Sequence, residues 1–135
     1  MKLWMTGLLV LVVFFFGCSN ENIPLEHEKL VQSFGWEIDK ADGDPKKLNL
    51  NLLLQSESVR KTYKQAGIDL KKYKGKTVFS QKYELQDSCS SSQVVSAVVF
   101  YTEEDLLGSY LKLSNATPGV VKMMKKAKFM ENCRN

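Results

Sequence analysis

The sequence predicts an α+β fold, in which a small antiparallel sheet of about four to five strands ends in a C-terminal meander. Two or three helices are expected to pack on one face of this sheet. Two observations lead to this expectation. Apolar residues recur at three- and four-residue spacing in several short segments, which is typical of amphipathic helices. Other segments alternate between apolar and polar residues, which is the period of a half-buried strand.

The helical segments are marked by capping residues. Pro24 suits the first turn of an initial helix, and Gly35 suits the position after its end. Ser56 can cap a second helix that Gly67 ends. A single capped turn is expected at residues 69–75, and Thr117 followed by Pro118 can open a last helix. The residues expected to face inward from these helices are Ile23, His27, Leu30, Val31, Phe34, Val59, Tyr63, Ala66, Leu70, Tyr73, Val120 or Val121, Met124 and Ala127.

The strand segments differ in how they are expected to be buried. Residues 77–85 alternate, so we expect one wet side, whereas residues 94–101 are apolar on both faces and belong in the centre of the sheet. Residues 102–105 form a hairpin loop between two strands. The complete set of predicted strands is 36–39, 48–52, 77–85, 94–101 and 106–113.

The N-terminus has the layout of a secretory signal, with one cation at Lys2 and an apolar run at residues 8–16. The small residue Gly17 is followed by Cys18, a junction that resembles the lipobox of bacterial lipoproteins. The resemblance implies cleavage after Gly17 and a lipid on the Cys18 thiol. A plain signal peptide and a retained helix are the alternatives, although the apolar stretch 3–17 is shorter than the roughly 20 residues that span a bilayer.

These features divide the chain into four parts. They are a lipoprotein signal peptide at 1–17, a lipidated tether at 18–22, a single α+β domain at 23–130 and a C-terminal tail at 131–135. The protein is therefore expected at the cell membrane, facing the extracytoplasmic side, with the membrane as its partner through the lipid.

The charge of the chain is mildly basic. A formal net charge of +4 over 135 residues is no signature of nucleic-acid binding. The lysines cluster in two segments and form either solvated faces or surfaces for anionic headgroups and wall polymers. The first cluster is Lys71, Lys72, Lys74 and Lys76, and the second is Lys122, Lys125, Lys126 and Lys128. Of these, Lys71, Lys72 and Lys74 are candidate binding residues.

Two cysteines remain once Cys18 is assigned to the lipid. Cys89 and Cys133 are an even pair in a chain expected to leave the reducing cytosol, so a disulfide between them is possible. Nothing in the sequence gives their distance, and free thiols remain the alternative.

The sequence shows no pattern of catalytic or metal-binding residues. His27 is the single histidine, so no metal-ligand spacing appears and no metal or cofactor is expected. No nucleophile elbow, Cys–His pair or phosphate loop is present. Trp36 is either a core anchor or a binding residue that stacks on a ligand. We therefore expect a protein that is not an enzyme.

The order of the motifs resembles a known family of small exported proteins of Gram-positive bacteria, which has no assigned function. The resemblance rests on residues 34–39 (FGWEID) and on residues 67–76 (GIDLKKYKGK), and covers about 28–125. It implies the fold and topology and carries no catalytic residues.

Together these observations favour a lipid-anchored extracytoplasmic module without enzymatic activity that binds another envelope protein or a peptide. The reason is that a small sheet with an open edge suits strand addition. The alternative is binding of anionic headgroups or wall polymer through the lysine-rich faces. An enzyme with an unrecognised site is a third hypothesis. The oligomeric state is not indicated by the sequence.

Overall fold

The computed structural model of the protein describes residues 22–117 and 119–133. The predicted signal peptide, Cys18, most of the predicted tether and Pro118 lie outside the described residues. Within them the chain forms, in order, α1 (Leu25–Ser33), β1 (Ile38–Ala41), β2 (Lys46–Lys47), α2 (Leu50–Gln55), α3 (Glu57–Gln65), a 3-10 turn (Leu70–Tyr73), β3 (Phe79–Leu85), β4 (Val95–Tyr101), β5 (Leu106–Leu113), β6 (Val120–Lys122) and α4 (Lys126–Cys133). The α+β class is confirmed.

The strands form one antiparallel sheet of six strands in the order β1-β3-β4-β5-β6, with β2 also paired to β3. The apolar segment at β4 lies in the middle of this order, and six of its seven residues are buried. Its central position is therefore confirmed. The loop 102–105 joins β4 to β5, and the Thr102 N–H donates to the Asp105 carbonyl at 2.8 Å.

Helices cover both faces of the sheet, whereas the sequence predicted them on one face. Successive residues of β4 point to opposite sides, and apolar residues lie on both of them, so the strand needs cover on each side. The first core joins α1 and α4 to one face, and its buried residues are Val31, Trp36, Tyr83, Leu85, Val95, Ala97, Val99, Leu111, Met123 and Phe129. The second core joins α2, α3 and the 3-10 turn to the other face, and its buried residues are Leu50, Ala66, Ile68, Leu70, Val78, Val98, Phe100 and Tyr110.

The predicted strand at 48–52 is instead the start of a helix. Asn49 accepts a hydrogen bond from the Leu52 N–H through its side chain at 3.1 Å, which caps α2. The leucines at 50, 53 and 54 then contact the second core from one helical face. Only Lys46 and Lys47, just before this segment, form a strand.

The predicted last helix begins later than expected. Val120 and Val121 belong to β6, which pairs antiparallel with β5. Gly119 has a φ of +71°, and its carbonyl accepts from the Leu113 N–H at 2.7 Å, so the chain reverses here and continues as a strand. The helix α4 then runs through Cys133, three residues into the segment that the sequence assigns to the tail.

No helix among the described residues is long and apolar enough to cross a bilayer.

Candidate functional site

A tight reversal after α3 builds the candidate site. The Ser56 hydroxyl accepts from the Val59 N–H at 3.4 Å and caps α3, as the sequence predicted. At the other end, Gly67 adopts a φ of +84°, and the Ile68 N–H donates to the Tyr63 carbonyl at 2.9 Å, which is a Schellman motif. The chain therefore turns back at once, and the 3-10 turn packs beside α3.

This reversal forms a cleft of about 400 Å³ between α3, the end of α2 and the 3-10 turn. We call it the basic cleft, because cations outnumber acids on its walls by four to two. The Asp69 carboxylate accepts from the Lys71 N–H at 3.2 Å and so fixes the start of the 3-10 turn. The residues that line the basic cleft are Leu54, Glu57, Arg60, Lys61, Lys64, Asp69, Leu70 and Lys71.

Arg60 is the cation of the basic cleft whose hydrogen bonding is incomplete. Its Nε atom is buried and has no hydrogen-bond partner among the residues that the structure describes. A buried donor without an acceptor costs about 1–3 kcal/mol. Arginine binds carboxylate and phosphate oxygens with two parallel bonds, so Arg60 is the lining residue best suited to an oxyanion.

The structure places Lys71 in the basic cleft and leaves Lys72 and Lys74 exposed on the same turn. Residues 57–76 hold seven cations and two acids, so this segment carries more positive charge than the whole chain, whose net charge is +4. Charges of one sign around a cleft focus its field and raise the local concentration of counter-ions. The contribution of α3 to this surface was missed in the sequence, although the residues between its inward-facing positions are basic.

The second lysine cluster lies apart from the basic cleft. Three of its four lysines are on or beside α4, which covers the opposite face of the sheet. Lys126 forms an ion pair with Asp87 at 2.9 Å, which ties α4 to the loop after β3. Lys122 is the exception, because its side chain lies against Gly67 beside α3.

Trp36 does not have a surface for binding. Its side chain is 0% exposed, and its ring contacts that of Phe129 edge to face at a centroid distance of 5.3 Å. The indole N–H donates to the Met124 carbonyl at 2.9 Å. The structure therefore gives Trp36 the role of core anchor between the start of β1 and α4, and corrects its assignment as a candidate binding residue.

Cys89 and Cys133 are joined by a disulfide, with their Cα atoms 5.4 Å apart. This separation lies within the usual range for a disulfide. The bond connects the serine-rich loop between β3 and β4 to the last residue of α4. Together with the Lys126–Asp87 pair, it fixes α4 over the first core.

His27 is buried on the inner side of α1 and forms a polar pair with Tyr83. The His27 Nδ1 and the Tyr83 hydroxyl lie 2.6 Å apart, and the His27 ring also packs on Tyr101 at a centroid distance of 4.6 Å. Burial lowers the pKa of His27, and the nearby Glu26 carboxylate opposes this only in part. Burial also raises the pKa of Tyr83 well above its ordinary value. Both side chains are therefore neutral near pH 7.

Acidification is expected to destabilise the fold through His27. Because the folded-state pKa lies below the ordinary 6.5, the unfolded chain gains a proton first as the pH falls. Between about pH 7.5 and about pH 5.5, the free energy of unfolding should drop by up to about 1.3 kcal/mol. Urea titrations at the two pH values measure this drop. The same drop in a His27→Gln variant would contradict the assignment to this side chain.

No group of three or more His, Cys, Asp or Glu side chains that could hold a metal ion occurs within residues 22–117 and 119–133. In comparisons with known proteins, the model of a domain of unknown function (DUF4830) matches residues 30–111, which is more than half of the 135-residue chain. No curated protein matches, and no solved structure does.

Proposed function

We propose a function for this chain as a member of the family defined by the domain of unknown function DUF4830, to which it belongs. The proposed protein is a lipid-anchored extracytoplasmic module without enzymatic activity. Its basic cleft binds phosphate groups, which come either from a wall polymer or from lipid headgroups. The observation that supports this is that α3 and the 3-10 turn bring four cations to one cleft. Among them is Arg60, whose buried Nε lacks an acceptor among the described residues.

Charge supplies the attraction in this proposal. A lysine or arginine close to an anionic surface contributes about 1 kcal/mol, and the basic cleft has four such side chains. Arg60 adds directed hydrogen bonds to phosphate oxygens, which lysines provide only as point charges. Because the lysines are exposed, salt should weaken the binding strongly. The cations attract and orient a phosphate, and this needs no nucleophile or general base.

The proposed anchor keeps the domain near its ligand. Three residues separate Cys18 from Asn22, the first described residue. Fully extended, the four Cα–Cα steps from Cys18 to Asn22 span at most about 14 Å. A diacylglyceryl group on Cys18 holds far more firmly than one acyl chain, which binds only reversibly. The domain would then stay beside the headgroups and the polymers that lie over them.

The edges of the sheet are poorly suited to strand addition by a peptide partner. The edge strand β1 has four residues and a bulge, and Lys40 on it is exposed. The opposite edge, β6, has three residues. Short, bulged and charged edges are the features that discourage strand addition. We therefore place phosphate binding ahead of strand addition by a protein or peptide partner.

Removing three cations from the basic cleft should abolish most of the binding. The full-length chain is reconstituted in neutral phosphatidylcholine vesicles and titrated with poly(glycerol phosphate), and in a second arm with phosphatidylglycerol vesicles. The triple variant Arg60→Gln, Lys64→Gln, Lys71→Gln should bind on the order of 100-fold more weakly. The arm in which wild type binds tells which source supplies the phosphate.

A matched control separates a specific cleft from general positive charge. Lys29, Lys47 and Lys128 are exposed on other elements, and replacing all three with glutamine changes the net charge equally. This control should keep binding within about threefold of wild type. Equal losses in the two triple variants, or binding that is unaffected by salt, would refute the proposed cleft.

A further inference from the structure

A second cleft, of about 410 Å³, opens on the other face of the sheet, where α1 meets the loop between β1 and β2. We call it the His27 cleft. His27, Gln81 and Tyr101 line it with polar atoms, and Asn22 and Asp44 also line it. No lysine or arginine is among its lining residues. Its chemistry therefore differs from that of the basic cleft.

His27 uses one ring nitrogen to pair with Tyr83, and its other ring nitrogen has no partner among the described residues. The Tyr83 hydroxyl lies 2.6 Å from His27 Nδ1 and has no other hydrogen-bond partner among the described residues. The hydroxyl either donates to Nδ1, which leaves the ring proton on Nε2, or accepts from the protonated Nδ1, which leaves Nε2 as an acceptor. His27 is only 3% exposed, and no described residue forms a hydrogen bond with its Nε2. The cleft is therefore lined by a nearly buried side chain whose Nε2 is unpaired among the described residues.

Gln81 supplies the complementary group. Its side-chain Nε2 donates to the Gly43 carbonyl at 2.9 Å and to the Lys82 carbonyl at 3.0 Å. These two bonds fix the orientation of the amide, since only the nitrogen can donate. The side chain is 4% exposed, and its Oε1 has no donor partner in the described part of the chain. The cleft is thus also lined by a nearly buried amide whose oxygen can accept a hydrogen bond.

We propose that the His27 cleft binds a neutral sugar. A sugar hydroxyl both accepts and donates, so one hydroxyl can pair with His27 Nε2 in either tautomer while an adjacent hydroxyl donates to Gln81 Oε1. The Tyr101 hydroxyl, which no described residue engages, adds a third group that can do either. An anionic sugar is disfavoured, because among the described residues Asp44 is the one charged residue that lines the cleft, and no described cation lines it.

The cleft lies where the tether enters the domain, since Asn22 and Ile23 line it. If the anchor proposed above is present, the cleft opens near the headgroups. The sugar could then be free or the headgroup of a neutral glycolipid, and the chemistry of recognition is the same for both. Recognition of the sugar itself does not depend on the anchor or on the basic cleft.

The single histidine makes the test direct. The full-length chain, labelled with ¹⁵N only in histidine and held in neutral detergent micelles, gives imidazole signals from His27 alone. The probes are glucose, galactose, N-acetylglucosamine, maltose, glucuronate as an anionic comparison, and micelles that contain a neutral diglucosyl lipid. At least one neutral probe should shift the Nε2 signal with saturation below about 50 mM. Glucuronate should bind at least about tenfold more weakly.

A conservative pair of variants checks where the sugar binds. Tyr101→Phe removes one hydroxyl while the ring can still pack on His27, and it should weaken binding about fivefold. Tyr73→Phe makes the same change on the opposite face and should leave the affinity unchanged. Saturation by the free sugars or by the glycolipid alone identifies the source. No saturable shift with any neutral probe, or equal affinity in Tyr101→Phe and wild type, would overturn the proposal.

Discussion

Replacing both Cys89 and Cys133 with serine is expected to lower the free energy of unfolding by about 4 kcal/mol. The disulfide closes a loop with a sequence separation of 44 residues. In the chain-entropy model this loop lowers the conformational entropy of the unfolded chain, so removing the bond favours unfolding by this amount. Small domains have about 5–15 kcal/mol of stability, so the loss is a large fraction of the total. Denaturant titration of the oxidised wild type and of the double variant measures it.

The effect should be local as well as global. The disulfide lies at the last residue of α4, and Phe129 of this helix covers Trp36 in the first core. Without the bond, amide hydrogen exchange should accelerate most in α4 and in the loop after β3. Ser91→Ala changes an exposed residue of the same loop and keeps both cysteines, so it should stay within about 0.5 kcal/mol of wild type. A double variant as stable as Ser91→Ala would contradict this role of the disulfide.

The strands with an unambiguous pattern could be predicted from the sequence. The segment at β4 is apolar on both faces, and β5 has the bounds that the sequence indicates. Leu50 shows the limit of such reasoning. Residues 48–52 alternate, which fits a strand, but leucines at 50, 53 and 54 also have the spacing of a helix. The cap that Asn49 provides and the packing against the second core favour the helix, and neither is visible in the alternation.

The C-terminal error has a similar cause. Thr117 before Pro118 is a good start for a helix, and this pattern led to a prediction that placed Val120 on it. Two adjacent β-branched residues after Gly119 fit a strand equally well. The edge of β5 decides between helix and strand, because its backbone N–H and C=O groups pair with those of β6. That edge exists only once the sheet has formed.

The two clefts differ in how far they could be anticipated. The lysines of the 3-10 turn stand out in the sequence, and the reversal at Gly67 could have suggested that α3 adds its own cations. The His27 cleft has no such signal. His27 and Tyr83 are 56 residues apart, and their contact depends on α1 packing across β3. A single histidine at an inward position of a helix is by itself most often a core residue.

Replacing Cys18 with serine is expected to abolish lipid attachment and to leave the chain as an uncleaved precursor. A serine hydroxyl does not replace the thiol that the lipoprotein pathway modifies, so neither lipid attachment nor cleavage before residue 18 should occur. One acyl chain contributes about 0.8 kcal/mol for each buried methylene, so loss of a diacylglyceryl group removes the lipid anchor. Ser19→Ala, which changes the next residue, should behave as wild type.

The measurement that tests the anchored module most directly is the intact mass of the natively expressed chain, combined with its partition between detergent and water. We expect the wild type to lack residues 1–17, to carry the added mass of a diacylglyceryl group, and to enter the detergent phase. The Cys18→Ser variant should lack the acyl mass and retain residues 1–17, so it should not give the mature form that enters the detergent phase. A wild-type chain without acyl mass, or a serine variant that still matures and enters the detergent phase, would contradict the account.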